Sequence, residues 1–217
     1  MVRFSAAILL LTLGLCVHAA AQNGTASPPK TTEAPPPVSY GLVVDNSGSF
    51  RTMLDKVVAV TSDVVEENGA DDEAFLVTFV DTPKIVLRQE FTYRKSELHD
   101  AAENMYIEGG QTAILDAVKS AADYLAQNAK TDPGRMRALV LITDGEDRSS
   151  RSKIEDVLKL LKDQNIRVFV IAMSDTKVFT KILDRLTKAT GGLIVMPKGR
   201  GDLSETAKQV FAAMRTK

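Results

Sequence analysis

The chain has 217 residues, 44% apolar and 25% charged, enough for one domain with a sizeable core. A formal net charge of −1 argues against a general role on nucleic acid or an anionic membrane surface. One cysteine, Cys16, leaves nothing to pair with, so intrachain disulfides are excluded.

The chain opens with Arg3, an apolar run over residues 6–15 and then Ala19-Ala20-Ala21. A basic start, a short apolar core and an A-x-A end predict a secretory signal peptide over residues 1–21, cleaved after Ala21. The apolar core is shorter than the ~20 residues of a membrane span. Cys16 lies inside this leader. Leu13, three residues ahead, admits a lipoprotein reading, but bulky Leu15 stands where lipoprotein signals resemble one another in carrying a small residue. The expected product is therefore secreted or periplasmic, without a lipid anchor and without a thiol. Residues 22–37 carry Pro28-Pro29 and Pro35-Pro36-Pro37 among Thr, Ser and Ala, the composition of a disordered Pro/Thr-rich linker. Asn23-Gly24-Thr25 matches a glycosylation sequon, a triplet common by chance.

A domain over residues 38–217 follows, in which strands and helices alternate. The spacing predicts a buried strand over 38–44, a helix over 50–68 ended by Asn68-Gly69, and a strand over 74–80. Asp81-Thr82-Pro83 turns the chain into an antiparallel edge strand at 85–87. A short helix is expected over 97–105, then a Gly109-Gly110-Gln111-Thr112 interruption and a strong helix over 113–127. After the Asp132-Pro133-Gly134 turn come a strand (137–143), a helix (153–164), a strand (167–173) and a helix (179–189) closed by Gly191-Gly192. A short strand at 193–196 and a helix over 203–214 complete the chain. Asp71-Asp72-Glu73 reads as a surface segment, and Asp202 with Glu205 as a cap for the last helix, so Arg200-Gly201-Asp202 is taken as chance. Strands separated by helices imply an α/β fold. It is expected to be a three-layer doubly wound sandwich, with a mostly parallel central sheet, one antiparallel edge strand and helices on both faces.

Three strand-end segments carry oxygen donors: Asp45, Ser47 and Ser49 after the first strand, Thr112 after the Gly-Gly pair, and Asp144 after the apolar Leu139-Val140-Leu141-Ile142. If the first strand and the strand ending at Asp144 are neighbours, these residues face one crevice at the carboxyl ends of the sheet. Two carboxylates and three hydroxyls are hard donors, suited to Mg²⁺, Mn²⁺ or Ca²⁺. Two acids only neutralise a divalent ion, leaving it electrophilic. Each residue taken alone is a common loop acid or helix cap; their joint spacing carries the reading. Glu146 and Asp147 are expected to be solvated. Arg148 and Arg151 are expected to rim the same face and attract an acidic partner.

D-x-S-x-S with a distant Thr and a distant Asp resembles the von Willebrand factor type A domain, shared with integrin inserted domains. The resemblance covers about residues 40–214 and extends to Phe79-x-Asp81 and to Thr112-Ala113-Ile114-Leu115-Asp116. It implies a metal-ion-dependent adhesion site holding one ion. Ser47, Ser49 and Thr112 would be direct ligands, and Asp45 and Asp144 direct or water-mediated ones. A carboxylate from a protein partner would complete the shell. The loops at 49–52, 107–112, 145–151 and 174–177 would choose the partner.

An enzyme is the rival class. Only His99 remains beyond the leader, and neither a dinucleotide nor a P-loop fingerprint is present. A Mg²⁺-dependent phosphatase with Asp45 as nucleophile survives, although Ser47 stands where such enzymes usually carry a second acid. A metal-independent scaffold is the third reading.

Overall fold

The computed structural model describes residues 35–216; the expected leader with Cys16, and the linker as far as Ala34, lie outside the described residues. Six strands form one sheet: β1 (Val38–Asp45), β2 (Glu73–Phe79), β3 (Ile85–Thr92), β4 (Met136–Thr143), β5 (Ile166–Ala172) and β6 (Ile194–Val195). Their order is β3-β2-β1-β4-β5-β6, parallel throughout except for β3, which runs antiparallel to β2 at the edge. Six helices cover the two faces: α1 (Leu54–Glu66), α2 (Lys95–Glu103), α3 (Ile114–Asn128), α4 (Ile154–Asp163), α5 (Thr180–Thr190) and α6 (Leu203–Arg215).

Alternation along β1 divides the core in two. Tyr40, Leu42 and Val44 face α1 and α6, meeting Val57, Val60 and Phe211. Val43 faces the opposite way with Phe75, Leu139 and the apolar stripe of α3. Gly41 is needed between them, because a Cβ there would lie 2.2 Å from the Phe75 ring.

The first helix starts later than its apolar spacing suggests. Residues 47–53 wind as a tighter turn with Phe50 N–H bonded to Ser47 O at 3.1 Å and Arg51 N–H to Gly48 O at 3.3 Å. This turn buries Phe50 and leaves Ser49 exposed. Strand β3 runs five residues further than expected, since a half-solvated edge accepts Arg88, Gln89 and Glu90.

Two expectations are corrected. Asp72 and Glu73 are buried rather than on the surface. Asp72 accepts hydrogen bonds from Val38 N at 2.8 Å and Gly69 N at 2.6 Å, and pairs with Arg215 on α6. Glu73 Oε1 accepts from Ser39 Oγ at 2.7 Å and Lys130 N at 2.8 Å. Asp202 occupies the position before α6 but its side chain caps nothing. Its backbone is already helical (φ −96°, ψ −1°), whereas a capping side chain reaches the first amides from an extended residue. Among the described residues no helix is long and apolar enough to cross a membrane.

Candidate functional site

Strands β1 and β4 are neighbours, with Val44 beside Ile142, so the chain reverses its winding between them. The crevice at that reversal is where an open α/β sheet presents ligand-binding loops. Asp45 ends β1 and is only 1% exposed. Its Oδ1 accepts from Ser47 N at 3.0 Å and its Oδ2 from the Thr143 hydroxyl at 2.8 Å. The Ser47 and Ser49 hydroxyls are 3.0 Å apart, brought together by the tight turn that follows β1.

Asp144 follows β4, and its Oδ1 accepts from Glu146 N at 2.9 Å. The carbonyl of Glu146 in turn accepts the Thr112 hydroxyl proton. Thr112 therefore turns its oxygen lone pairs away from that bond, free to serve a further electrophile. Backbone bonds join the loops: Glu108 N to Asn46 O at 3.0 Å, Ala113 N to Val80 O at 2.7 Å, and Arg148 N to Thr112 O at 2.9 Å. Asp45, Ser47, Ser49, Thr112 and Asp144 thus belong to one continuous network at the sheet's carboxyl end.

Burial pushes the Asp45 carboxyl up to about 7, and the charge of Asp144 adds to that, against the hydrogen bonds from Ser47 and Thr143. No basic side chain pairs with Asp45 or Asp144 among the described residues, whose ion pairs all lie elsewhere. A buried acid beside a second acid, surrounded by hydroxyls, fits a hard divalent cation by the chemistry of its donors. With only two acids, the set differs from carboxylate-rich sites; no cluster of three or more acidic, His or Cys side chains that could hold a metal is found among the described residues.

A family model for the von Willebrand factor type A domain matches residues 41–205. The chain belongs to that family. Its fold is shared with many solved structures, among them three that are each under 20% identical. An aerotolerance-related membrane protein from Bacteroides fragilis is 18% identical, with a TM-score of 0.65 over 81% of this chain and 98% of that one. BatB from Bacteroides thetaiotaomicron is 18% identical, with a TM-score of 0.66 over 82% of this chain and 98% of that one. A von Willebrand factor type A protein from Catenulispora acidiphila is 15% identical, with a TM-score of 0.67; the match spans 82% of this chain but 43% of that one. No curated protein matches this chain. Domains of the von Willebrand factor type A family are, in general, protein-interaction modules.

Several residues around the von Willebrand-type crevice escape a reading by motif. Thr143 ties Asp45 to Gly145 N, accepting from the latter at 3.1 Å. Asp147, expected to be solvated, instead caps α3: its Oδ1 accepts from Ile114 N at 3.0 Å, and Ser150 Oγ accepts from Leu115 N at 3.0 Å. Neither Ser47, Ser49 nor Thr112 caps a helix. A strand-end Thr before Asp144 was the one available signal for Thr143; the Asp147 cap spans 33 residues and leaves no local trace.

Proposed function

We propose that the domain is the binding part of a secreted or periplasmic protein, exported by the leader over residues 1–21 and carried on the linker over residues 22–37. It engages a protein partner at the carboxyl-end crevice. Ser47, Ser49 and Thr112 would hold one Mg²⁺, or Mn²⁺ or Ca²⁺, with Asp45 and Asp144 beside it as direct or water-mediated ligands. A bound ion of this kind supplies residual positive charge for an incoming Asp or Glu carboxylate. The observation that carries the reading is Asp45: a buried acid with Asp144 for a neighbour and no basic partner among the described residues.

The chain's own residues do the preparatory work. Thr143 and Ser47 N fix both Asp45 oxygens, Glu146 N fixes Asp144, and the Glu146 carbonyl fixes the Thr112 hydroxyl. Such prior ordering lowers the entropy cost of capturing an ion and then a partner. Loops 49–52, 107–112, 145–151 and 174–177 form the rim and set specificity. Arg151, with no ion partner among the described residues, and exposed Arg148 add attraction for an acidic partner. A hydrolase reading would require Asp45 to attack substrate from a side chain 1% exposed. His99, the histidine of α2, is bonded instead to Glu66 at 2.7 Å.

Isothermal calorimetry with Mg²⁺ and Mn²⁺ on the wild type, Asp45→Ala and Thr112→Ala tests the proposal. Saturable binding lost in both variants is expected. Absence of heat and of any thermal shift with either ion would leave the metal-independent scaffold. Phosphatase turnover abolished by Asp45→Asn would establish the enzyme.

A further inference from the structure

Two adjoining grooves lie at the end of the sheet opposite the candidate site, roughly 20 Å away along β4 at ~3.3 Å per residue. The larger, about 570 Å³, sits between the amino ends of β4 and β5 and the carboxyl ends of α4 and α5. The smaller, about 220 Å³, shares Arg135, Arg137 and Asn165 with it and continues toward the loop before β4. Five cationic residues line the pair: Lys130, Arg135, Arg137, Lys162 and Arg167. A single carboxylate, Asp132, stands against them, although the chain as a whole is nearly neutral.

Folding accounts for part of this charge. Arg135 is largely buried, bonded to Asp132 at 2.7 Å and to Asp71 O at 2.9 Å. Arg167 donates to Gly191 O at 3.1 Å and Thr216 O at 2.6 Å, holding the ends of α5 and α6. Carbonyls satisfy its donors and the Phe169 ring centre lies 4.9 Å from its guanidinium carbon, but no carboxylate pairs with it among the described residues. Lys162 lies in the last turn of α4, where a cation suits the helix dipole. Arg137 has no such employment: among the described residues its side chain makes no hydrogen bond or ion pair, and it stands half-buried on β4. Unpaired charge in a concave, partly desolvated place strengthens attraction for an anion.

The floor adds the second half of the specificity. Half-buried Met136 and Ala189 lie between the cations of the larger groove, above Leu161 and Ile166 of the buried core. A flat anionic bilayer does not enter a concavity, and a sulfated sugar offers no aliphatic group to that floor. We propose that this end of the domain docks a linear acidic segment of a protein partner, with an apolar side chain in the groove and flanking Asp or Glu carboxylates on Arg137, Lys162 and Arg167. The surface is independent of the metal site, so the domain is bivalent.

The test is fluorescence anisotropy of a labelled Glu-Glu-Leu-Glu-Glu peptide against the purified chain at low salt, with EDTA present. Saturable binding is expected, weakening as salt rises and falling when Leu is replaced by Gly. Arg137→Gln with Lys162→Gln should reduce affinity about tenfold, equivalent to ~1.4 kcal/mol, while the melting temperature falls only slightly from loss of the Lys162 charge at the end of α4. Absence of saturable binding, or binding undiminished in the double variant, overturns the proposal. So does tighter binding of a heparin fragment or of phosphatidylserine vesicles, which would assign the groove to a different ligand class. Because chelator is present throughout, failure of the metal site leaves this result untouched.

Discussion

The Thr143 hydroxyl donates to Asp45 Oδ2 at 2.8 Å across the boundary between β1 and β4, and accepts from Gly145 N at 3.1 Å. One side chain thus fixes the acid of the first strand and the loop that carries the second acid. Thr143→Val keeps the shape but removes both bonds. It should destabilise the domain by about 1–3 kcal/mol, since a buried acceptor and a buried amide lose their partner together. Urea unfolding of the two proteins measures this, and equal midpoints would refute it.

Asp116 makes a titratable strut. It accepts from Ser152 N at 2.7 Å, Arg151 N at 3.0 Å and the Thr82 hydroxyl. Burial opposes its ionisation, but the hydrogen bonds from Ser152, Thr82 and Arg151 outweigh that and hold the carboxyl down at about 2. A depressed acid stabilises the fold above its ordinary value near 4 and loses that effect as pH falls toward 2. Asp116→Asn should therefore cost on the order of 1–2 kcal/mol at pH 7 and almost nothing near pH 2. Thermal melts at both pH values report the difference; a gap that does not narrow in acid sinks the argument.

Asp72 and Arg215 form an ion pair whose acid is nearly inaccessible. Arg215→Ala leaves Asp72 charged and buried, a loss of about 3 kcal/mol. Asp72→Ala should cost more, because Val38 N and Gly69 N lose their acceptor as well. Chemical denaturation ranks the two variants, and the reverse order would show that the stranded buried acid outweighs the backbone bonds.

Gly145 adopts φ +84°, and a Cβ there would sit 2.1 Å from Phe179 O. Gly145→Ala is expected to displace the 144–147 loop, costing about 2–3 kcal/mol of stability. It should also weaken Mg²⁺ binding in the same calorimetric titration. Full retention of both would mean the loop adjusts without moving Asp144.

Changing Arg148 and Arg151 to Ala should slow partner association at low salt and leave the off-rate nearly unchanged. Arg148 already spends part of its charge on Glu146 at 2.6 Å, so Arg151 should account for the larger share. Surface plasmon resonance at two salt concentrations separates the contributions, and an on-rate that does not change removes both from the encounter.

The order of strands and helices was legible because buried parallel strands such as Leu139-Val140-Leu141-Ile142 carry unbroken apolar runs, and α3 shows a clean helical stripe. The oxygen donors could be named because each sits directly past such a run. What escaped reading depends on distant partners. Asp72 looks like a surface acid until Val38, Gly69 and Arg215 are brought to it, and Asp147 looks solvated until it meets the start of α3. The basic groove was equally hidden: Lys130, Arg137, Lys162 and Arg167 come from separate elements and alternate in sequence with acids.

Strand β1 sits between β2 and β4, and β4 begins only at Met136. During synthesis the first strand made therefore keeps one hydrogen-bonding edge bare until more than half of the domain has left the ribosome. Such a delayed, non-local closure slows folding and exposes an aggregation-prone edge in the meantime. A chain truncated before Thr143 would lack both the cover for that edge and the hydroxyl that secures Asp45.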